Sequence, residues 1–306
     1  MADAEQRRVA VVTGAGRGLG RAHALALAQD GAVVVVNDTG AGLDGSGLDG
    51  SGLDGLDGGG LAQQVVDEIT AAGGRALAST DDVGTHAGAA ALVDRALDAF
   101  GRVDAVVNNA GILRDRTFAK MSLDDFDDVV RVHLGGAAYV THAAWDALAA
   151  SGDGRVVLTS SASGLYGQFG QANYAAAKSG MVGLVNVLRQ EGARSGIRVN
   201  AIAPAALSRM TQDLLPREAH PGLGPERVSP LVAHLASADC QVSGWVLEVA
   251  AGLVARVQVV ESEAVVLPAT GTGVAHALAT LEVAPVGSPY PTSGEALARF
   301  VAAATP

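Results

Sequence analysis

Tyr174 and Lys178 are the two residues of this chain whose types and spacing best suit acid–base chemistry. They lie in the string ANYAAAK, which favours a helix, so that the spacing of four places both side chains on one face. An unperturbed tyrosine has a pKa of about 10 and is a poor base at neutral pH. A nearby ammonium and a positively charged cofactor would lower that pKa. A surface polar pair without a chemical role is the alternative interpretation.

Ser161 lies thirteen residues before Tyr174, just after a segment with strand character at residues 155–159. Its hydroxyl could hydrogen-bond the substrate oxygen whose proton Tyr174 transfers. The neighbouring Ser160 would point the other way on an extended chain. The sequence therefore predicts Ser161, Tyr174 and Lys178 as catalytic residues.

A glycine-rich string, TGAGRGLG at residues 13–20, follows the first predicted strand and opens the first predicted helix. Glycines in this position allow a tight turn and a close approach of the backbone, so a pyrophosphate can lie at the helix N-terminus. Turn formation alone is the weaker alternative. The string predicts that a dinucleotide cofactor contacts Gly14, Arg17, Gly18, Leu19 and Gly20.

Asp38 ends the second predicted strand, where a carboxylate can accept hydrogen bonds from a ribose 2′-hydroxyl and repel a 2′-phosphate. It therefore favours NAD over NADP, although Arg17 within the loop could instead meet a 2′-phosphate. Open α/β sheets bind ligands at the carboxyl ends of their strands. On that ground five further cofactor contacts are predicted after the third and fourth strands: Asp82, Val83, Asn109, Ala110 and Gly111.

Segments of strand and helix character alternate along most of the chain, which predicts βαβ units. The implied fold class is α/β, a doubly wound parallel sheet of about seven strands. The predicted strands cover residues 8–12, 32–36, 75–79, 103–107, 155–159, 197–202 and 245–249, and the predicted helices cover 18–30, 61–72, 85–100, 122–150 and 172–195.

Two segments fall outside this alternation. Residues 40–60 nearly repeat Gly-Leu-Asp-Gly-Ser, which predicts a flexible surface loop far from the reacting centre. Their Asp spacing matches no calcium motif, so no metal is expected. Residues 262–306 form a predicted C-terminal extension to a single domain of residues 1–261, with a helix at about 295–303. This extension could cover the sheet edge, line a pocket or reach a partner subunit.

Composition excludes several classes of protein. The chain has 306 residues, of which 49% are hydrophobic and 17% charged, so global disorder is excluded. The net charge of −11 argues against a nucleic-acid partner. A single cysteine, Cys240, excludes an intrachain disulfide and a Cys-rich metal site. No run is apolar enough for a signal peptide or a membrane span, so we expect a cytoplasmic protein.

Taken together, these motifs resemble the short-chain dehydrogenase/reductase family over residues 8–252. The resemblance rests on the strings TGAGRGLG and NNAG, on Asp82, on Ser161 with Tyr174 and Lys178, and on a strand ending before Pro204. It implies a Rossmann-type fold in which Tyr174 is the general acid/base and Ser161 orients the substrate carbonyl. It also implies that Lys178 binds the nicotinamide ribose and lowers the pKa of Tyr174, so both residues lie at the cofactor.

His133 stands where this family usually carries an asparagine of a proton relay. A histidine there resembles one branch, the (3R)-hydroxyacyl-CoA dehydrogenases of type 2 peroxisomal multifunctional enzymes. The strings at residues 111–118, 160–178 and 208–211 resemble the same branch. His133 is therefore a fourth candidate catalytic residue, with an ordinary buried helix residue as the alternative.

The resemblance implies oxidation of a 3-hydroxyacyl-CoA by NAD, with the 3R epimer as the expected substrate. The anionic coenzyme A would need local cations, for which Arg114, Arg116 and Arg209 are candidates. A hydroxysteroid or another secondary alcohol is an alternative substrate, and a non-catalytic nucleotide-binding subunit of a hetero-oligomer is an alternative role. In this family, helices such as 122–150 and 172–195 pair between subunits, so a homodimer or homotetramer is expected.

Overall fold

The computed structural model describes residues 7–46, 59–207, 217–268 and 271–304. Two compact units divide the chain, Met1–Arg256 and Val257–Pro306. The sequence placed the end of the Rossmann domain at residue 261. Residues 47–58 of the glycine-rich insertion and the string at 208–211, with Arg209, lie outside the described residues.

One eight-stranded sheet organises the first unit, with the strand order β3-β2-β1-β4-β5-β6-β7-β8. The first seven strands pair in parallel, and β1 lies between β2 and β4. This arrangement confirms the predicted doubly wound α/β fold. The strands are β1 Val9–Thr13, β2 Val33–Asn37, β3 Arg75–Ser79, β4 Ala105–Asn108, β5 Arg155–Thr159, β6 Arg198–Ala205, β7 Val246–Ala250 and β8 Leu253–Val257.

The eighth strand is one more than the sequence indicated. Ala251 and Gly252 join β7 to β8 with φ angles of 52° and 79°. Two consecutive positive φ angles are the mark of a tight hairpin turn, and a two-residue connection joins antiparallel strands. The other strands were predicted from apolar runs that are typical of buried strands. Strand β8 is not buried, since Leu253 and Val254 are exposed, and it was therefore missed.

Helices flank the sheet, and several differ from the prediction. The predicted helix at 122–150 contains a π-helical turn at Arg131–Gly135, and a short helix follows Ser161. The sequence did not indicate α8 or α9. The helices are α1 Gly18–Gln29, α2 Gly59–Ala71, α3 His86–Phe100, α4 Leu123–Val130, α5 Gly136–Ala150, α6 Ala162–Tyr166, α7 Ala172–Glu191, α8 Ser229–Ala236, α9 Gly271–Glu282 and α10 Ser293–Ala304.

Valine and alanine fill most of the core around β1. Strands β1, β2, β4 and β5 are buried along their whole length, because helices cover both faces of a parallel sheet. Helix α1 packs Ala24 and Leu27 into the same cluster as Val34 and Val36 of β2. This packing fixes the start of α1 directly after the end of β1.

A fully buried histidine, His23, joins α1 to α8 and makes the fold sensitive to acid. Its Nδ1 lies 2.8 Å from Ser229 Oγ, and burial lowers its pKa from 6.5 to about 3. Between pH 6.5 and 3 the unfolded chain therefore binds more protons than the folded one. The contribution of His23 to the free energy of unfolding is fully present above pH 6.5 and is lost as the pH falls through that window. We expect the free energy of unfolding of His23→Gln to depend less on pH in this range, as measured by urea titration.

The exposed His234 of α8 provides the control for this prediction. The variant His234→Gln should follow the acid profile of the unsubstituted protein. If His23→Gln and the unsubstituted protein lose stability in parallel between pH 6.5 and 3, the buried imidazole is not the source of the acid sensitivity.

Candidate active site

The crevice between β1 and β4 is the place where the chain order of the sheet reverses, and ligands of doubly wound sheets bind at such a point. Hydrogen bonds tie the two strand ends together across it. Thr13 Oγ1 accepts from the backbone N–H groups of Asn109 (3.0 Å) and Ala110 (3.1 Å). In return, Asn109 Nδ2 donates to the carbonyls of Thr13 and Gly14, each at 3.0 Å. The NNAG string thus holds the glycine loop in place.

Glycine is required in this loop for two physical reasons. Gly14 has a φ of 61°, a region that side chains disfavour. A Cβ on Gly20 would lie 2.1 Å from the carbonyl oxygen of Gly14, so any side chain there would break the turn. Gly16, which the sequence analysis did not select, would place a Cβ 2.8 Å from Asp38 Oδ2.

An elongated cavity of about 500 Å³ opens above this loop. Of the thirteen residues predicted to contact the cofactor, Gly20 lies beneath the loop, and Tyr174 and Lys178 are not among the lining residues. The other ten line the cavity: Gly14, Arg17, Gly18, Leu19, Asp38, Asp82, Val83, Asn109, Ala110 and Gly111. The other lining residues include Gly42, Leu43, Gly45, Ile112 and Val132, which no sequence motif indicated as cofactor contacts.

Asp38 presents its carboxylate at the wall of the cavity. Its Oδ2 accepts from Gly16 N–H at 2.9 Å and its Oδ1 from Gly40 N–H at 2.8 Å. Arg17 Nη2 donates to the carbonyl of Ala41 at 3.0 Å. A glycine cradle that a Cβ would fill, next to a fixed carboxylate, fits a dinucleotide with its pyrophosphate at the loop and a ribose at Asp38.

Asp82 and Val83 form the part of the wall that follows β3. Asp82 Oδ1 accepts from Gly84 N–H at 2.8 Å, and its backbone carbonyl accepts from Thr85 N–H at 3.1 Å. Thr85 in turn caps α3 by accepting from Gly88 N–H at 3.0 Å. These bonds fix the conformation of the turn that carries Asp82 and Val83.

Tyr174 extends from the first turn of α7, and its phenol is hydrogen-bonded to Ser161. Ser161 begins α6, where its Oγ accepts from Ser163 N–H at 3.2 Å. Burial raises the pKa of Tyr174, the bond from Ser161 lowers it, and the carboxylate of Asp115 raises it further. The lowering of this pKa was expected from Lys178 together with an oxidised nicotinamide, and among the protein groups the largest effect, burial, acts in the opposite direction.

Lys178 is buried below Tyr174, with its Nζ 5.5 Å from the centre of the tyrosine ring. Its ammonium donates to the carbonyl of Thr159 at 2.6 Å. Burial lowers its pKa from 10.5 to about 7. Ser160 Oγ donates to the carbonyl of Lys178 at 2.8 Å, and a Cβ on Gly164 would lie 2.6 Å from Lys178 Cβ.

His133 lies between the cavity and Tyr174, inside the π-helical turn. Its ring is edge-on to Tyr174 at 5.1 Å between centres, and a Cβ on Gly111 would come within 2.0 Å of its Cε1. Nε2 lies 3.0 Å from the backbone nitrogen and 2.8 Å from the backbone oxygen of Ile112, so either tautomer finds a partner. Burial and the charge of Lys178 hold its pKa well below 6.5. A neutral imidazole thus fixes the turn that links the two halves of the site.

Within the described residues no helix is long and apolar enough to cross a membrane. Over the same part of the chain, no three His, Cys, Asp or Glu side chains come together as a metal site.

A doubly wound sheet with a dinucleotide cradle beside a tyrosine and a buried lysine defines a nucleotide-dependent oxidoreductase. Residues 58–219 match the short chain dehydrogenase family, and the chain belongs to it, as the sequence motifs predicted. Members of this family act on CH–OH groups, and so does this enzyme.

Three relatives show which proteins of this family the chain is similar to. The chain is 52% identical over 252 residues to a short-chain type dehydrogenase/reductase of Mycobacterium tuberculosis, covering 82% of this chain and 85% of that protein. It is 50% identical over 251 residues to mouse peroxisomal multifunctional enzyme type 2, of which it spans only 32%. A hydroxyacyl-CoA dehydrogenase of M. tuberculosis is 43% identical over 258 residues, covering 78% of this chain and 76% of that protein.

A solved structure is also similar throughout most of its length. The short chain dehydrogenase of Mycobacterium avium is 43% identical and superposes with a TM-score of 0.77, covering 94% of this chain and 98% of that one. The similarity of sequence and of fold therefore agree on the short chain dehydrogenase family.

Proposed function

We propose that this enzyme oxidises the 3-hydroxyl of a (3R)-3-hydroxyacyl-CoA to the 3-oxoacyl-CoA, with NAD as the hydride acceptor. The observation that carries this proposal is the phenol of Tyr174, hydrogen-bonded to Ser161 and backed by the buried Lys178. The similarity to a protein named hydroxyacyl-CoA dehydrogenase supports the choice of substrate.

The residues of the site divide the reaction between them. Tyr174, as phenolate, removes the proton from the substrate hydroxyl, while Ser161 donates a hydrogen bond to the same oxygen. Lys178 holds the nicotinamide ribose and adds positive charge near the phenolate. A nicotinamide dinucleotide bound in the cavity would supply the hydride acceptor. His133 fixes the turn at Gly111 and Ile112 and can pass a proton only as a neutral imidazole.

Asp38 supports NAD as the cofactor. Its carboxylate is held by two backbone N–H groups at the cavity wall, where a 2′-phosphate would meet a fixed negative charge. Arg17, the cation that could have favoured NADP, donates instead to the carbonyl of Ala41. The proposed ligand set for the dinucleotide is therefore the glycine loop, Asp38 and the turns after β3 and β4, together with Lys178 at the nicotinamide ribose.

Two of the arginines expected to hold coenzyme A lie among the described residues, and they differ in their partners. The guanidinium of Arg114 is paired with Asp125 and Asp128, so this arginine is not the expected phosphate ligand. Arg116 is exposed and remains a candidate, because its Nη1 contacts only the backbone carbonyl of Asp115 among the side-chain bonds described.

A panel of secondary alcohols tests the proposed function. NADH formation should be fastest with (3R)-3-hydroxyacyl-CoA thioesters and NAD, and much slower with the 3S epimers or with NADP. Faster oxidation of a free hydroxysteroid would replace the proposed substrate class by the alternative one. No turnover of any secondary alcohol, with intact dinucleotide binding, would favour a non-catalytic nucleotide-binding subunit.

We further propose a homodimer or homotetramer. An apolar groove lies between the α4–α5 region and α7, lined by residues that include Leu134, Ala138, Leu184 and Val187. Val187 is 51% exposed, an unusual position for an aliphatic side chain next to other apolar groups. Light scattering that detects only a monomer at assay concentration would contradict this assembly.

A further inference from the structure

The first part of the glycine-rich insertion lies over the proposed cofactor cavity, although the sequence placed the insertion far from the reacting centre. We call residues 41–46 the strap. Four of them, Ala41, Gly42, Leu43 and Gly45, line the cavity. The strap therefore belongs to the wall of the site.

Three contacts attach the strap to the turn that follows the NNAG string. The N–H of Leu113 donates to the carbonyl of Leu43 at 2.9 Å. Arg114 Nε donates to the carbonyl of Asp44, also at 2.9 Å. Gly45 faces Ile112 so closely that a Cβ on it would lie 3.1 Å from Ile112 Cγ2. Strap and turn together enclose one side of the cavity.

Arg114 carries this connection on towards the catalytic helix. Its side chain is 25% exposed, and its Nη1 pairs with Asp125 at 3.1 Å and Asp128 at 2.7 Å, both on α4. Its backbone carbonyl accepts from Asn173 Nδ2 at 3.1 Å. Asn173 is fully buried, and its Oδ1 accepts from the N–H of Tyr174 at 2.8 Å.

These bonds form a continuous path from the strap to the residue proposed as acid/base. We propose that Arg114 is a positioning residue that holds the strap over the cofactor and couples it to the placement of Tyr174. The inference rests on the proposed function, because the cavity must hold a dinucleotide. A lysine at this position could keep one ion pair with α4, but its single nitrogen cannot reach Asp44 and both carboxylates in the arginine geometry.

Substitutions at each end of the path test the coupling between the strap and Tyr174. The dissociation constant of NADH is measured by fluorescence in the absence of substrate. Arg114→Gln should weaken NADH binding by about tenfold, the effect of losing a charge-assisted hydrogen bond, and should also lower kcat. Arg114→Lys should recover more of kcat than of NADH affinity, because it keeps a cation beside Asp125 and Asp128.

Gly45→Val displaces the strap from its other side, since its side chain would press on Ile112. We expect weaker NADH binding with a smaller loss of kcat. Combined with Arg114→Gln it should weaken NADH binding no further than Arg114→Gln alone, because both changes release the same strap.

Two matched controls isolate the strap. Gly31→Val has a similar positive φ of 89° but meets nothing within 4 Å, and Arg21→Gln removes an exposed arginine that pairs only with Glu68 among the ion pairs described. Both should bind NADH as the unsubstituted protein does, with the melting temperature of each variant recorded.

The outcomes separate the coupling from the function on which it rests. Unchanged NADH affinity in folded Arg114→Gln or Gly45→Val, or additive effects in the double variant, would overturn the coupling alone. If the unsubstituted protein binds neither NADH nor NADPH, the proposed function fails together with the coupling.

Discussion

Replacing Tyr174 by phenylalanine should lower kcat for oxidation of the hydroxyl by about 10²–10⁴-fold, the usual contribution of a general acid/base. The ring and its edge-on contact with His133 are kept, so only the phenol and its bond to Ser161 are lost. The dissociation constant of NADH should change little, because Tyr174 does not line the cavity. Stopped-flow or steady-state measurement of NADH formation gives the result.

The pH dependence of the same reaction provides a second measure of the role of Tyr174. Because burial raises the pKa of its phenol, the fraction of phenolate, and with it the oxidation rate, should increase with pH into the alkaline range. A bound nicotinamide, carrying positive charge when oxidised, would move this rise to lower pH. The residual activity of Tyr174→Phe should lack the rise.

Tyr166 of α6 supplies the matched control. It is 67% exposed, and its hydroxyl donates only to Glu248, at 3.3 Å, among the side-chain bonds described. Tyr166→Phe should retain full activity and the pH profile of the unsubstituted enzyme. Wild-type kcat in Tyr174→Phe would remove the acid/base role assigned to this phenol.

The cofactor end could be predicted because its requirements are local. Gly14 and Gly20 are needed by the turn itself, one for its φ and the other for its approach to the neighbouring carbonyl. The parallel sheet was equally accessible, since strands buried on both faces are continuous apolar runs in the sequence. Both features depend on neighbours within a few residues along the chain.

Features that depend on distant contacts could not be predicted in this way. The low side-chain content of the glycine-rich insertion predicts a loop, but nothing in it shows that Leu43 and Asp44 meet residues 113 and 114. The identity of His133 suggested a relay, whereas its buried bonds to Ile112 depend on how α4 and α5 pack. Nor could the sequence show that burial raises the pKa of Tyr174, which opposes the lowering expected from Lys178.

Replacing Lys178 by methionine should inactivate the enzyme and at the same time stabilise its fold. Burial lowers the pKa of this amine from 10.5 to about 7, and each pKa unit corresponds to about 1.4 kcal/mol. The buried cation thus costs about 4 kcal/mol at neutral pH. The lost hydrogen bond to the Thr159 carbonyl offsets about 1–3 kcal/mol of the gain. Net stabilisation of roughly 2 kcal/mol should appear in urea unfolding at pH 7.

The direction in which the free energy of unfolding changes with pH assigns this result to Lys178. The folded pKa lies below the unfolded one, so the unfolded chain binds more protons between pH 7 and 10.5. The stability of the unsubstituted protein should therefore rise with pH through this window, and Lys178→Met should not show that rise.

Lys120, the only other lysine in the sequence, is exposed after the turn at residues 118–120 and provides the control. Lys120→Met should change neither kcat nor the stability profile. An inactive Lys178→Met that is also less stable at pH 7 would mean that the bond to Thr159 outweighs the cost of burying the cation. A site that keeps a destabilising buried amine is best explained by a function of that amine, and a stable but inactive Lys178→Met would provide the direct demonstration.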